Sequence, residues 1–166
     1  MLAVVTDIGK AHELRGRRLL ERFAAHCRAS FVATPPSDGA AVDGLAVRDG
    51  KVVAVLEAKV RGGYSLYDMR RMGATLLVTE EKLLEMCRLA KALAVPAVFV
   101  VEFSDGYRWF WRIADASGNR ACRWEARRSV TRSDSVGGPD VERLNAFLPL
   151  DEGVCWYAPD EAAEAM

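Results

Sequence analysis

Long apolar runs, paired cysteines and a histidine cluster are all missing from this chain, and each absence narrows what it can be. The longest apolar run, Ala92 to Val101, is ten residues, far short of the roughly 20 that a spanning helix needs. No membrane partner is expected. The opening MLAVVTDIGK carries neither a basic leader nor a small-residue cleavage site, so the expected compartment is the cytoplasm. The four cysteines, Cys27, Cys87, Cys122 and Cys155, form no C-x-x-C pair. That spacing argues against a zinc site or a disulfide framework and for four reduced thiols. His12 and His26 are too few and too far apart for a ligand cluster. Repeats, low-complexity tracts and a linker long enough to split the chain are also lacking.

What remains is an ordinary globular composition. The 166 residues are 51% apolar and 28% charged, enough to bury a core without staples. They are read as one domain over 1–150, followed by an acidic segment, 151–166, whose end is expected to fray. Net charge is zero, with 23 basic and 23 acidic residues, but the two signs are segregated. Residues 1–73 carry 12 basic and 8 acidic groups, 104–135 carry 7 and 4, and 136–166 carry 1 and 7. Two basic regions are therefore masked by an acidic tail, and the local field matters more than the sum to a polyanion.

Periodicity predicts a helix over 9–28, with Leu20, Phe23, Ala24 and Cys27 on one face. TPPSDG, 34–39, reads as a loop. Two strands, 41–48 and 51–60, flank Asp49-Gly50, a hairpin signal. Residues 61–73 read as a loop with at most one helical turn. A short strand, 76–79, leads into a helix capped by Thr79 and running to Leu93, with Glu80 and Glu81 in its first turn. Pro96 opens a buried strand to Phe103, and further strands are predicted at 107–113 and 121–127. Pro139 reads as the first residue of a helix to Phe147. The order of elements predicts an α/β fold, a mixed central sheet flanked by helices.

The chemistry concentrates in AVDGLAVRDGKVVAVLEAK, residues 41–59. In the second strand Val55, Glu57 and Lys59 share one face, with Leu56, Ala58 and Val60 on the other. Two ionised groups at the end of an otherwise apolar strand are costly unless they are paired or bind something. A plain two-residue turn would set Asp43 opposite Leu56 and point it away from Glu57. A bulged hairpin is therefore predicted. It is drawn either as a three-residue loop, Arg48-Asp49-Gly50, or with a bulge near Gly44. Glu13 lies about 20° from Leu20 and Ala24 on the helical wheel and is expected inside the apolar stripe as a third acid. Glu21, about 80° away, is expected at the surface. Two carboxylates with a backbone carbonyl suit Mg²⁺ or Mn²⁺, and a neighbouring lysine can stabilise a phosphoryl transition state.

Asp43, thirteen residues, then Glu57-Ala58-Lys59 resembles the D…(D/E)-x-K signature of the PD-(D/E)xK nuclease superfamily. With Glu13 upstream on a helix, the layout is similar to archaeal Holliday junction resolvases and phage nucleases of that fold. Val42 stands where the motif often has proline. The resemblance covers residues 9–60. It implies a restriction-endonuclease-like fold and a Mg²⁺-dependent deoxyribonuclease leaving 5′-phosphates. It also implies Asp43, Glu57, the Ala58 carbonyl and Glu13 as metal ligands and Lys59 as the catalytic lysine. Ser37 matches a loop serine of the resolvases. DNA is the implied partner, and a homodimer is compatible with a two-stranded target. A different class, a non-catalytic nucleic-acid-binding or adaptor module of the same fold, phage-derived, stands as the alternative. A small structural protein braced by the hairpin is a third reading.

Arg61, Arg70 and Arg71 flank the loop after the motif and are candidates for gripping phosphates; a solvated loop is the plainer reading. Tyr64 and Tyr67 in that loop are candidates for stacking on bases, although tyrosine is also common at core edges. Tyr107 to Ile113 reads as a core strand or as an aromatic platform. The arginines at 120, 123, 127, 128 and 132 read as a second backbone-contact surface or as a charge-protected edge.

Overall fold

The computed structural model describes residues 7–35, 41–132 and 138–164. The elements in chain order are α1 (Asp7–His26), β1 (Ser30–Ala33), β2 (Gly44–Arg48), β3 (Lys51–Arg61), α2 (Leu66–Arg71), β4 (Thr75–Thr79), α3 (Glu80–Leu93), β5 (Ala97–Phe103), β6 (Arg108–Ala114), β7 (Glu125–Arg132), β8 (Asp140–Pro149), β9 (Val154–Tyr157) and α4 (Pro159–Glu164). A single 3-10 turn, Leu150–Glu152, joins β8 to β9. No helix among the described residues is long and apolar enough to cross a membrane.

The strands form two sheets rather than one. The larger has the order β1-β2-β3-β5-β6-β9, and the smaller β4-β8-β7. Only β3 and β5 run parallel, so the large sheet is mixed. One face is covered by α1, whose Leu19, Leu20 and Phe23 pack on Ala46, Leu56, Val98 and Val100. The other face packs Val55, Phe99, Val101 and Trp111 against Leu83, Met86 and Ala90 of α3, and against Leu76, Val78 and Leu148 of the small sheet. The expected α/β architecture, a mixed sheet with flanking helices, is thus present, with a second sheet added on the α3 side. The two alternating sets of β3 serve different layers: Leu56 and Ala58 meet α1, while Val55 meets α3.

Several elements depart from expectation. Residues 140–149 form a strand, not a helix. Val141, Leu144 and Leu148 repeat at helical spacing, but the segment is paired on both sides, to β4 and to β7. Burial there follows the two-residue period of a strand over most of its length, a case of tertiary pairing overriding local pattern. The strand expected at 121–127 begins at Glu125. Strands β1 and β9 carry no strong signal, being four residues each. The acidic tail contributes β9, which pairs with β6, and α4. Thr79 occupies the N-cap of α3, but its side chain makes no capping hydrogen bond. The loop after β3 contains α2, fixed by a capping box between Ser65 and Asp68.

Tyr107–Ile113 resolves as core. Trp111 and Ile113 are fully buried, and Phe110 packs on Phe23 with ring centroids 5.2 Å apart. The four cysteines are free, as their spacing predicts.

Candidate functional site

The site begins with the register of the β2–β3 hairpin. Asp49 and Gly50 both take positive φ, 51° and 72°, the signature of a two-residue type I′ turn. Arg48 pairs with Lys51 and Val47 with Val52, but Ala46 pairs with Ala54. Val53 is the extra residue of a β-bulge. Beyond it Gly44 faces Leu56, so the next position, Asp43, comes opposite Glu57. The hairpin is bulged as the convergence of the two acids requires, but neither in the turn nor near Gly44. The turn stays regular because aspartate tolerates the left-handed region beside glycine, and the bulge falls inside β3.

Each carboxylate accepts from a backbone amide on the opposite strand segment. The Asp43 amide donates to Glu57 Oε2 at 3.0 Å, and the Ala58 amide donates to Asp43 Oδ2 at 2.9 Å. The segment leading to Asp43 is fixed from the far side by Thr34, whose amide donates to the Asp43 carbonyl at 3.0 Å. Val42 buries its side chain in the core. Burial, with the repulsion of Asp43, pushes the Glu57 carboxyl up to about 7. Asp43 is raised too, first by burial, against the lowering effect of the Ala58 amide and Lys82.

Lys82, in the first turn of α3, is the residue that sequence reasoning missed. Its ammonium lies 3.3 Å from Glu57 Oε1 and donates to the Ala41 carbonyl at 3.2 Å. One signal was available. A lysine in the first turn of a helix opposes the macrodipole, so it needs an acid from elsewhere in the fold.

Lys59 shares a cleft of about 640 Å³ with Glu57, Ala58, Lys82 and Arg143, so the predicted neighbours on β3 open into one space. Glu13 is placed differently from expectation. It is exposed and ion-paired to Arg17 at 3.1 Å, because α1 becomes buried only from Leu19 onward. It acts on the pair only through its charge, which adds to the rise at Asp43. Glu21 is exposed, as expected. Ser37 lies outside the described residues.

Among the loop candidates, Arg61 is half-buried, with Nη2 donating to the Leu77 carbonyl at 2.7 Å; its desolvation lowers its pKa. Arg70 and Arg71 are exposed on α2. Arg71 sits over the Tyr67 ring, 5.6 Å from its centroid. Tyr64 is exposed beside the cleft. The later arginines are largely occupied at home: Arg120 with Glu80, Arg123 with Glu152 and Arg127 with Glu125.

Compared with family models, with curated proteins and with solved structures, the chain matches none. What it can do rests on its own geometry. Among the described residues no group of three or more His, Cys, Asp and Glu side chains is arranged around a metal position. The donors that converge are two carboxylates, with the carbonyl of Ala58 between Glu57 and Lys59 in the chain. Their chemistry fits a hard divalent cation. Glu57 is largely buried and is repelled by the more exposed Asp43, an arrangement that a 2+ charge relieves. Lys82 supplies one positive charge at that position.

Proposed function

We propose that this chain is a Mg²⁺-dependent phosphodiester hydrolase acting on DNA, of the restriction-endonuclease-like type that its Asp43…Glu57-Ala58-Lys59 motif resembles. The observation that carries the reading is the hydrogen-bonded pairing of Asp43 with the Glu57-Ala58 segment, created by the Val53 bulge, next to a cleft lined by Glu57 and Lys59. Asp43, Glu57 and the Ala58 carbonyl would hold Mg²⁺ or Mn²⁺, and Glu13 would add negative charge from the edge. When bound, the ion supplies polarisation of the phosphate and a lowered pKa for water at the site.

The chain's own groups do the rest. Lys59 presents a fixed positive charge where negative charge develops on the phosphorus oxygens, the kind of electrostatic stabilisation that is worth most in a partly desolvated cleft. Glu57, held up to about 7 by burial and by Asp43 when no ion is present, is the ligand whose ionised form a bound cation would favour. Lys82 balances the acid pair and keeps it compact between turnovers.

One observation favours a second reading. The ion pair between Lys82 and Glu57 offsets one of the two acid charges internally, as a binding or adaptor module without hydrolysis would need. Incubation with plasmid, single-stranded and branched DNA in Mg²⁺ or Mn²⁺ separates the two. The hydrolase reading expects cutting that falls about 10²–10³-fold in Lys59→Ala, with the thermal melt unchanged. DNA binding without cutting by the wild-type protein would overturn it in favour of the adaptor.

A further inference from the structure

A second trough, of about 750 Å³, opens beside the acid-pair cleft and shares Lys59, Thr79 and Arg143 with it. One wall is the chain leaving β3, with Arg61 and Tyr64. The other is the face of the small sheet that carries Leu77, Asn145 and Phe147. Three of its lining residues are cations, Lys59, Arg61 and Arg143, and none is an acid. Much of the remaining lining is apolar or aromatic.

Two of the residues that line this trough each carry a buried polar atom without a partner: Arg61 Nε and Asn145 Oδ1. Asn145 is fully buried. Its amide nitrogen is engaged by Ser129 Oγ at 2.6 Å, which orients the amide and leaves the oxygen unsatisfied. Arg61 is likewise oriented by its bond to the Leu77 carbonyl. Unmet buried donors and acceptors are costly and rare in native proteins. A donor and an acceptor left over in one trough call for a ligand that brings the complementary pair.

A nucleotide has that chemistry. A base edge offers an N–H donor and an adjacent ring-nitrogen or carbonyl acceptor. The flat ring suits Tyr64, and the attached phosphate suits Lys59 and Arg143. In a duplex the base-pairing edges are already used and the rings are stacked, so a base reaches such a trough only when unpaired.

We propose that the trough seats an unpaired nucleotide of a single-stranded nucleic acid, reading its base edge with Asn145 Oδ1 and Arg61 Nε. Placing its phosphate toward the acid pair rests on the hydrolase reading; the binding itself does not. The subsite would make single strands, flaps and frayed ends the favoured substrates over continuous duplex.

The test is a fluorescence anisotropy titration of the wild-type protein in EDTA, using a labelled single-stranded 12-mer and its blunt duplex. The single strand should bind about tenfold more tightly. Tyr64→Ala, at an exposed side chain, and Asn145→Leu, of similar volume, should each weaken single-strand binding about five- to tenfold and leave the duplex unchanged. If Asn145→Leu fails to fold, Tyr64→Ala carries the test. Equal affinity for both probes, or an unchanged single-strand affinity in folded Tyr64→Ala, overturns the subsite. The two readings fail separately. Single-strand binding that depends on Tyr64, with no cutting in Mg²⁺ or Mn²⁺, sinks the hydrolase and keeps the subsite. Cutting of duplex and single strands at equal rates, insensitive to Tyr64→Ala, does the reverse.

Discussion

Glu57 carries the sharpest chemistry of any single residue. Its folded pKa of about 7 stands above the ordinary 4.5, so the fold favours the protonated form. The corresponding stability is fully present below about pH 4.5 and is lost as pH rises through 7. Glu57→Gln stays neutral at every pH. It should therefore raise the melting temperature at pH 8, by an amount equivalent to about 2–3 kcal/mol, and change it little at pH 4. Calorimetry across pH 4–8 checks this. On the hydrolase reading Mg²⁺ gives the wild-type protein the same relief. Adding the ion should raise the melting temperature at pH 8 more than at pH 5, and should do little in Glu57→Gln. A metal response without pH dependence, or one that persists in the variant, would place any ion binding elsewhere.

Within the β2–β3 hairpin a single backbone insertion decides whether the acids meet. Removing Val53 leaves the type I′ turn intact and restores a simple ladder, in which Asp43 faces Leu56 and turns away from Glu57. On the hydrolase reading the deletion should abolish DNA cutting, and it should also bring the Glu57 pKa down as the Asp43 charge recedes. Carboxyl carbon NMR reads the pKa and a cleavage assay reads the activity. The alternation of β3 was legible in the sequence, and with it the shared face of Glu57 and Lys59. The need for a bulge followed from the same alternation, but its position did not, because Val52, Val53 and Ala54 offer no residue that marks the extra step. Glu13 misled for a related reason. A helical wheel gives direction around the axis, but not how far along it the neighbouring sheet extends. Residues 140–149 failed differently: their apolar spacing satisfies a helix, and only the two partner strands, distant in sequence, make them β.

At the scale of the whole molecule, two indoles tie the sheets together. Trp109 Nε1 donates to the Leu150 carbonyl at 3.1 Å and Trp111 Nε1 to the Pro149 carbonyl at 2.7 Å, joining β6 to the end of β8. Trp111→Phe would leave the Pro149 carbonyl without that donor and open space in the core. It should cost about 2–3 kcal/mol, readable as a lower urea midpoint. Because β8 also carries Arg143 and Asn145, the same change should weaken single-strand binding more than duplex binding; a stability loss with unaltered binding would show that the indoles do not set the trough.

The acid hairpin is complete by Arg61, whereas the opposite wall, β8, is made at residues 140–149, and the edge strand β9 later still. Translation therefore finishes the cleft last. A chain made from its N-terminus carries the acid pair well before it has the wall that faces it, and the cleft takes shape only when β8 has been added.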